Sequence, residues 1–162
     1  NNFFKAQGIQ IGMSVADDTA VDISDPKIIL PKDIIVANDK IGKSGVITMP
    51  LGNIAPNQTI VDIGSKSAEE FAGIIQGSKM VVWNGPMGIF EVEKFAEGTR
   101  IIAQAVASSP RSIVGGGDTI AAIDKLGLLD KMSFVSTGGG AMLEFLAGSK
   151  LPGLEALGYY QD

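Results

Sequence analysis

Three glycine-rich stretches in the second half of the chain each follow a short apolar run. They read MVVWNGPMGIFE (Met80 to Glu91), SIVGGGDT (Ser112 to Thr119) and FVSTGGGA (Phe134 to Ala141). Each is followed by residues with helical spacing. Glycine lets backbone N–H groups approach phosphate oxygens, and a helix starting there presents its positive N-terminal pole. Three such turns on a strand–glycine–helix rhythm point to a polyanion site at the strand ends of a parallel sheet.

Each stretch carries a candidate residue and a plainer alternative. In GGGDT (Gly115 to Thr119), Asp118 stands at the expected N-cap and Thr119 is the first residue inside the helix. Asp118 is then either a cap or a carboxylate placed beside phosphates, where Mg²⁺ takes oxygen ligands. In STGGGA, three consecutive glycines carry a high conformational-entropy cost. Gly138, Gly139 and Gly140 serve either close phosphate approach or tight helix–strand packing. In WNGPMGIFE, Asn84-Gly85-Pro86 is a turn by its chemistry. Glu91 is placed to reach a ribose hydroxyl or to meet a helix dipole in its first turn. The lone Trp83 reads as core.

The elements that must position these residues alternate in type. A short helix over Phe3 to Gln7 stops at Gly8, and Gly12 to Ala20 reads as a loop or short helix. Ile28 to Ala37 reads as one strand broken at Pro31, which cannot donate within a ladder. Asn38 to Pro50 reads as a hairpin or surface excursion with an edge strand at Gly45 to Met49, and Thr59 to Gly64 as a further strand. Ser67-Ala68-Glu69-Glu70 has capping-box spacing, with Phe71, Ile74 and Ile75 on one helical face and Gly77 as the stop. From Lys79 onward the order is strand (Lys79 to Trp83), helix (Glu93 to Ser108), strand (Arg111 to Val114), helix (Thr119 to Leu126), strand (Met132 to Val135), helix (Gly139 to Ala147). Phe95, Ile101, Ile102, Ala105 and Val106 take the core face of the first of these helices. The alternation predicts an α/β fold: a Rossmann-like parallel sheet with helices on both faces in a three-layer α/β/α arrangement.

Composition narrows the chemistry. The chain has 162 residues, one domain's worth, and its 21 glycines lack a collagen-like period. A net charge of −5 argues against nucleic acid as a partner. There is no cysteine, hence no disulfide, thiol nucleophile or thiolate metal site, which fits an intracellular setting. There is no histidine, which removes histidine-based triads and most zinc sites. No apolar run approaches membrane-spanning length, and no signal-peptide pattern opens the chain. No Walker pattern is present, since no Lys follows these glycines, and no G-x-G-x-x-G opens a βαβ unit.

Taken together and in order, WNGPMGIFE, KFAEGT (Lys94 to Thr99), GGGDT, STGGGA and the tail LEFLAGSKLPGLEAL (Leu143 to Leu157) resemble the C-terminal, nucleotide-binding domain of the phosphoglycerate kinase family. LPKDIIVA (Leu30 to Ala37) and VDIGSKS (Val61 to Ser67) match more loosely. The resemblance implies reversible phosphoryl transfer between 1,3-bisphosphoglycerate and Mg-ADP, giving 3-phosphoglycerate and ATP, in a cytoplasmic, monomeric, glycolytic enzyme. It places Glu91 at the ribose and Asn84 near the phosphates. It assigns Gly116, Gly117, Asp118 and Thr119 to the nucleotide phosphates, with Asp118 holding Mg²⁺. Gly138, Gly139 and Gly140 become the catalytic amides facing the transferring group, and Pro31 and Val61 line the adenine slot.

Parts of the family pattern are not matched. The family's glycine–lysine stretch, GGAKVxDK-like, has no counterpart, nor does the arginine-rich N-terminal domain that holds 3-phosphoglycerate. Ile60 stands where the family often has Gly beside the adenine. The chain opens on Asn1-Asn2-Phe3-Phe4 without an initiator Met. The expectation is therefore a partial nucleotide-binding domain over residues 1–162, with an exposed sheet edge and no turnover by itself. A non-catalytic nucleotide-binding or interaction module on the same fold is the alternative. An unrelated flavodoxin-like domain is a third reading.

Overall fold

The computed structural model describes residues 1–19 and 21–160. Ala20, the end of the expected Gly12 to Ala20 segment, lies outside the described residues. Helix α1 spans Asn2–Ala6, and Gly8 follows with φ +78°.

The first sheet is antiparallel. It comprises β1 (Asp33–Ala37), β2 (Val46–Pro50) and β3 (Thr59–Ile63), in the order β2-β1-β3. The β-branched run of β1 divides its side chains by the two-residue period of a strand. Ile34 and Val36 pack with Ile54 on one face. Ala37 packs with Val61 and Phe95 on the other. The single strand expected over Ile28 to Ala37 is shorter, starting only at Asp33. Pro31 has no N–H, and the Lys32 N–H is drawn to the Ser67 hydroxyl at 2.8 Å rather than into a ladder. The expected hairpin is present, with β2 as its exposed edge.

Helix α2 (Ser65–Gln76) corrects the expected capping box. Gly64 is the N-cap and Ser67 is buried inside the first turn. The acceptor comes instead from β1: the Asp33 carboxylate takes the N–H of Ser67 at 2.8 Å and of Lys66 at 3.3 Å. The Ser67 hydroxyl donates to the same carboxylate. Burial pulls the Asp33 carboxyl upward, but these donors together carry it below its ordinary value. A buried strand carboxylate thus does the work of a local cap. Phe71 and Ile75 of α2 pack on the core, whereas Ile74 stays half exposed.

The second sheet is the parallel one anticipated from the alternation. It contains β4 (Val81–Asn84), β5 (Ser112–Gly115) and β6 (Phe134–Ser136), in that order. At the start of the β5–β6 pair, Ser112 and Ser133 exchange hydroxyl–amide bonds at 3.0 Å each way. The helix expected from Glu93 begins as a 3-10 turn (Glu93–Phe95) and becomes α3 only at Glu97, running to Ala107. Helix α4 (Gly117–Lys125) is closed by Gly127, and α5 (Gly139–Leu146) by Gly148. A sixth helix, α6 (Pro152–Ala156), was not anticipated; its signal is Pro152 at the first helical position.

The main core lies between the parallel sheet and its flanking helices. Trp83, Ile102, Ala103, Val106, Val114, Ile123 and Met132 form it. Trp83 is a core residue, and its indole N–H donates to the Gly85 carbonyl at 2.7 Å. Strands β4 and β6 are the two sheet edges, and Val82 and Phe134 are exposed on them.

Asp62 on β3 is a buried carboxylate beside the parallel sheet's helices. It accepts the Gly98 N–H at 2.7 Å, at the first turn of α3, and the Ile63 N–H at 2.9 Å. Burial pushes its carboxyl up to about 6, with the Glu97 charge adding to burial and the two amides opposing it. The folded value exceeds the unfolded one. The group's contribution to stability is therefore complete below about pH 4 and lost as pH rises through about 6. The loss amounts to roughly 3 kcal/mol, at 1.36 kcal/mol per unit. Denaturant melts at pH 4 and pH 7 should show this fall in the wild type and not in Asp62→Asn. Parallel profiles in the two proteins would contradict the assignment.

Candidate functional site

Parallel pairing brings the three glycine turns to one end of one sheet. Asn84 at the end of β4 faces Gly115 at the end of β5, and Gly115 faces Ser136 at the end of β6. Chain leaving each strand therefore emerges at the same edge.

Side chains then knit the turns together. The Asn84 amide donates from Nδ2 to the Gly139 carbonyl at 3.3 Å, and its Oδ1 lies against Gly116. The Thr119 hydroxyl accepts the Gly85 N–H at 2.7 Å. Gly116 has φ +90°, a conformation that L side chains rarely adopt. A Cβ on Gly139 would meet the backbone nitrogen of Gly116 and lie 2.6 Å from its Cα. A Cβ on Gly115 would lie 2.7 Å from Met142 Cε. For Gly139 the packing alternative accounts for the residue type, and for Gly116 the positive φ does.

Gly117 and Gly140 are different. A Cβ on either would meet no heavy atom within 4 Å, and one on Gly138 would meet only Ala141 Cβ at 3.8 Å. These glycines border open space. They belong to the first turns of α4 and α5, whose leading N–H groups have no partner within the helix. The positive ends of both helix dipoles lie there. The arrangement is a backbone-lined shelf suited to phosphate oxygens.

Asp118 departs from its expected N-cap position. Gly116 is the N-cap, Asp118 is the second residue of α4, and Thr119 is the third. Gly116, with its positive φ, takes the N-cap place, and the helix starts two residues earlier than it would behind an Asp118 cap. The Asp118 carboxylate makes no capping bond and is exposed. Among the described residues it has no hydrogen-bond or ion-pair partner. A free carboxylate beside a phosphate shelf fits Mg²⁺, which is held by one or two carboxylates, phosphate oxygens and water. No group of three or more His, Cys, Asp or Glu that could hold a metal occurs among the described residues. Thr119 is fully buried, and its hydroxyl is committed to Gly85.

Glu91 lies in the turn before the 3-10 segment, exposed, and outside the first turn of α3, where Glu97 sits. Its dipole alternative is thereby removed. The turn is anchored to α4: Lys125 Nζ donates to the carbonyls of Phe90 at 3.1 Å and Glu91 at 3.4 Å. Pro31 and Val61 meet only the first of the three turns: the Val61 carbonyl accepts the Ile89 N–H at 2.9 Å, and Met87 borders the same cleft as Pro31. Pro31 lines a cleft with Phe3, Phe4, Leu30 and Ile60. The Val61 side chain, 1% exposed, is enclosed with Ala37 and Phe95.

The family profile for phosphoglycerate kinase matches residues 1–149. The chain belongs to the phosphoglycerate kinase family. The phosphoglycerate kinase of Chlorobium phaeobacteroides (strain BS1) is 46% identical over 169 residues, covering 96% of this chain and 43% of the relative. That of Roseiflexus castenholzii is 41% identical, covering 97% and 42%. The structure of phosphoglycerate kinase from Coxiella burnetii superposes with a TM-score of 0.84 at 42% identity, over 92% of this chain and 42% of that one. The Pyrococcus horikoshii phosphoglycerate kinase structure gives 0.67 at 42% identity, over 78% and 31%. The chain spans less than half the length of the phosphoglycerate kinases it matches.

Three residues that hold the glycine turns in place carry no local signal in the sequence of this member of the phosphoglycerate kinase family. Thr99, Asp62 and Lys125 act across the fold, on partners 11 to 36 residues away in sequence. KFAEGT ends at Thr99, but nothing local marks its hydroxyl as a tertiary acceptor.

Proposed function

We propose that this chain is the nucleotide-binding part of a phosphoglycerate kinase. The convergence of three glycine turns on one sheet end, with open amides at Gly117 and Gly140 beside an unpartnered Asp118, carries the reading. In the complete enzyme a β-phosphate oxygen of ADP attacks the phosphorus of 1,3-bisphosphoglycerate. The bond from phosphorus to the acyl oxygen breaks, and 3-phosphoglycerate leaves as its carboxylate. The reaction belongs to glycolysis in the cytoplasm, and the intact enzyme is assigned as a monomer.

Such transfer asks for positioning and charge stabilisation rather than a general base, so a chain without His or Cys is adequate. The first-turn amides of α4 (Gly117, Asp118, Thr119) bind the nucleotide phosphates. Those of α5 (Gly139, Gly140) face the group being transferred. Magnesium would supply charge neutralisation there, and Asp118 is the residue that would hold it. Glu91 takes the ribose from its Lys125-anchored turn. Asn84 acts on the phosphates by clamping the turns that carry the amides. Pro31 is assigned to the adenine slot, in the cleft it lines beside Met87, and Val61 supports that wall from the core, where its side chain is enclosed.

The chain alone is expected to show no turnover of 1,3-bisphosphoglycerate in a coupled assay. Adding the remaining portion of a full-length relative should restore it. Turnover by the chain alone at an intact-enzyme rate would overturn the division of labour. Nucleotide binding with no restored turnover would favour a binding module that retains the fold.

A further inference from the structure

In the connection between β4 and the 3-10 segment, every N–H group of the turn Gly85 to Ile89 has an acceptor supplied from outside that turn. Gly85 donates to Thr119 Oγ1 on α4. Pro86 has no N–H. Met87 at 3.1 Å and Gly88 at 3.3 Å both donate to Thr99 Oγ1 on α3. Ile89 donates to the Val61 carbonyl on β3 at 2.9 Å. Backbone donors of a surface turn normally use water, so complete pairing to three separate elements means that this turn is built to hold one geometry.

Thr99 depends in turn on Asp62. The two are linked through Gly98, whose N–H is held by the Asp62 carboxylate at the first turn of α3. Both Thr99 and Asp62 are 1% exposed. Gly88 and Gly98 press on the same carboxylate: a Cβ on Gly88 would lie 2.5 Å from Asp62 Oδ1, and one on Gly98 would meet that oxygen too. The carboxylate thus sets the height of α3, α3 sets the Thr99 hydroxyl, and the hydroxyl sets the turn. At the start of that turn stands Asn84, whose amide clamps Gly139 and borders Gly116.

We propose that Asp62 and Thr99 are positioning residues for nucleotide binding, fixing the Gly85 to Ile89 turn and through it the Asn84 clamp on the phosphate-facing glycine turns. The proposal rests on the nucleotide-binding reading above. Neither side chain touches the ligand; both act through the backbone they hold. A misplacement of about 1 Å at a positioned group is enough to weaken binding or catalysis by up to about a hundredfold.

The test titrates ADP with magnesium into the wild-type chain and into Thr99→Val, Thr99→Ser, Asp62→Asn and Val36→Ala, each shown folded by circular dichroism. Thr99→Val keeps the shape and removes the acceptor; Thr99→Ser keeps the acceptor. Val36→Ala opens a cavity in the Ile34–Val36–Ile54 cluster of the sheet that also carries Asp62, and serves as a destabilised control that leaves the carboxylate and the Thr99 hydroxyl in place. Thr99→Val and Asp62→Asn should raise Kd about tenfold or more. Thr99→Ser and Val36→Ala should stay within about twofold of wild type, despite the lowered Tm of Val36→Ala. Wild-type affinity in Thr99→Val and Asp62→Asn would overturn the proposal and leave both residues with a purely structural role. If Thr99→Val does not fold, Asp62→Asn against Val36→Ala carries the same comparison. A wild-type chain that binds no ADP would count against the functional reading instead. Amide hydrogen exchange then decides the positioning claim. Met87 and Gly88 should lose protection in Thr99→Val and Asp62→Asn but not in Val36→Ala, and unchanged protection would overturn it.

Discussion

Asp118→Asn is expected to remove most of the magnesium dependence of nucleotide binding. The wild-type carboxylate sits in the second position of α4, exposed, with no capping bond and no partner among the described residues. Its only intramolecular benefit is the dipole of α4, about 0.3–1 kcal/mol at a surface site. The variant should therefore fold and melt close to wild type. Asn keeps the size and one carbonyl oxygen but loses the charge that a hard divalent cation requires. Affinity for ADP with magnesium should fall roughly ten- to a hundredfold, about 1.4–2.8 kcal/mol. Affinity for ADP without magnesium should change by less than about threefold, toward tighter binding, because a like charge beside the phosphates has gone. Calorimetric titrations in both conditions check this. Equal losses with and without the metal would assign Asp118 to the phosphate shelf itself rather than to the cation.

Gly139→Ala and Gly140→Ala should differ in stability although the residues are neighbours and both should lose nucleotide affinity. The added methyl of Gly139→Ala points into the backbone of Gly116, which cannot swing aside as a flexible side chain would. One turn must retreat from the other, and the Asn84–Gly139 bond goes with it. Overpacking of this kind costs about 1–3 kcal/mol, and the retreat displaces the amides that form the shelf. Both Tm and nucleotide affinity should fall. The methyl of Gly140→Ala meets no heavy atom within 4 Å. An Ala inside a helix is favoured over Gly by roughly 0.5–1 kcal/mol, so Tm should hold or rise. Affinity should still drop, because the methyl occupies space that a phosphate needs. Thermal melts and titrations of the pair separate packing from ligand approach. A Gly140→Ala chain that binds as well as wild type would show that the open glycines do not face the nucleotide.

The strand–glycine–helix rhythm was readable because it is local. Val81 to Asn84, Ser112 to Gly115 and Phe134 to Ser136 are apolar runs that end on turn residues, and the helices that follow stop at Gly127 and Gly148. Parallel pairing then followed from the alternation alone. What escaped was tertiary. Ser67 has the spacing of a cap, yet the acceptor for α2 is Asp33, 34 residues upstream. Asp118 looks like a cap, but the positive φ of Gly116, invisible in a run of three glycines, moves the helix start and frees the carboxylate. The two roles weighed for the STGGGA glycines, packing and phosphate approach, divide between the neighbours Gly139 and Gly140, and only the contacts of each Cβ direction separate them. Thr99 and Asp62 carry no local signal, since a buried hydroxyl or carboxylate is recognised by its partners and not by its neighbours in sequence.

The central claim is that the three turns form a working site for a magnesium nucleotide. Titrating the chain with ADP by calorimetry, with and without magnesium, tests it most directly. The account predicts saturable one-to-one binding that is markedly tighter with magnesium and that loses this difference in Asp118→Asn. A folded chain that binds no ADP in either condition would contradict it.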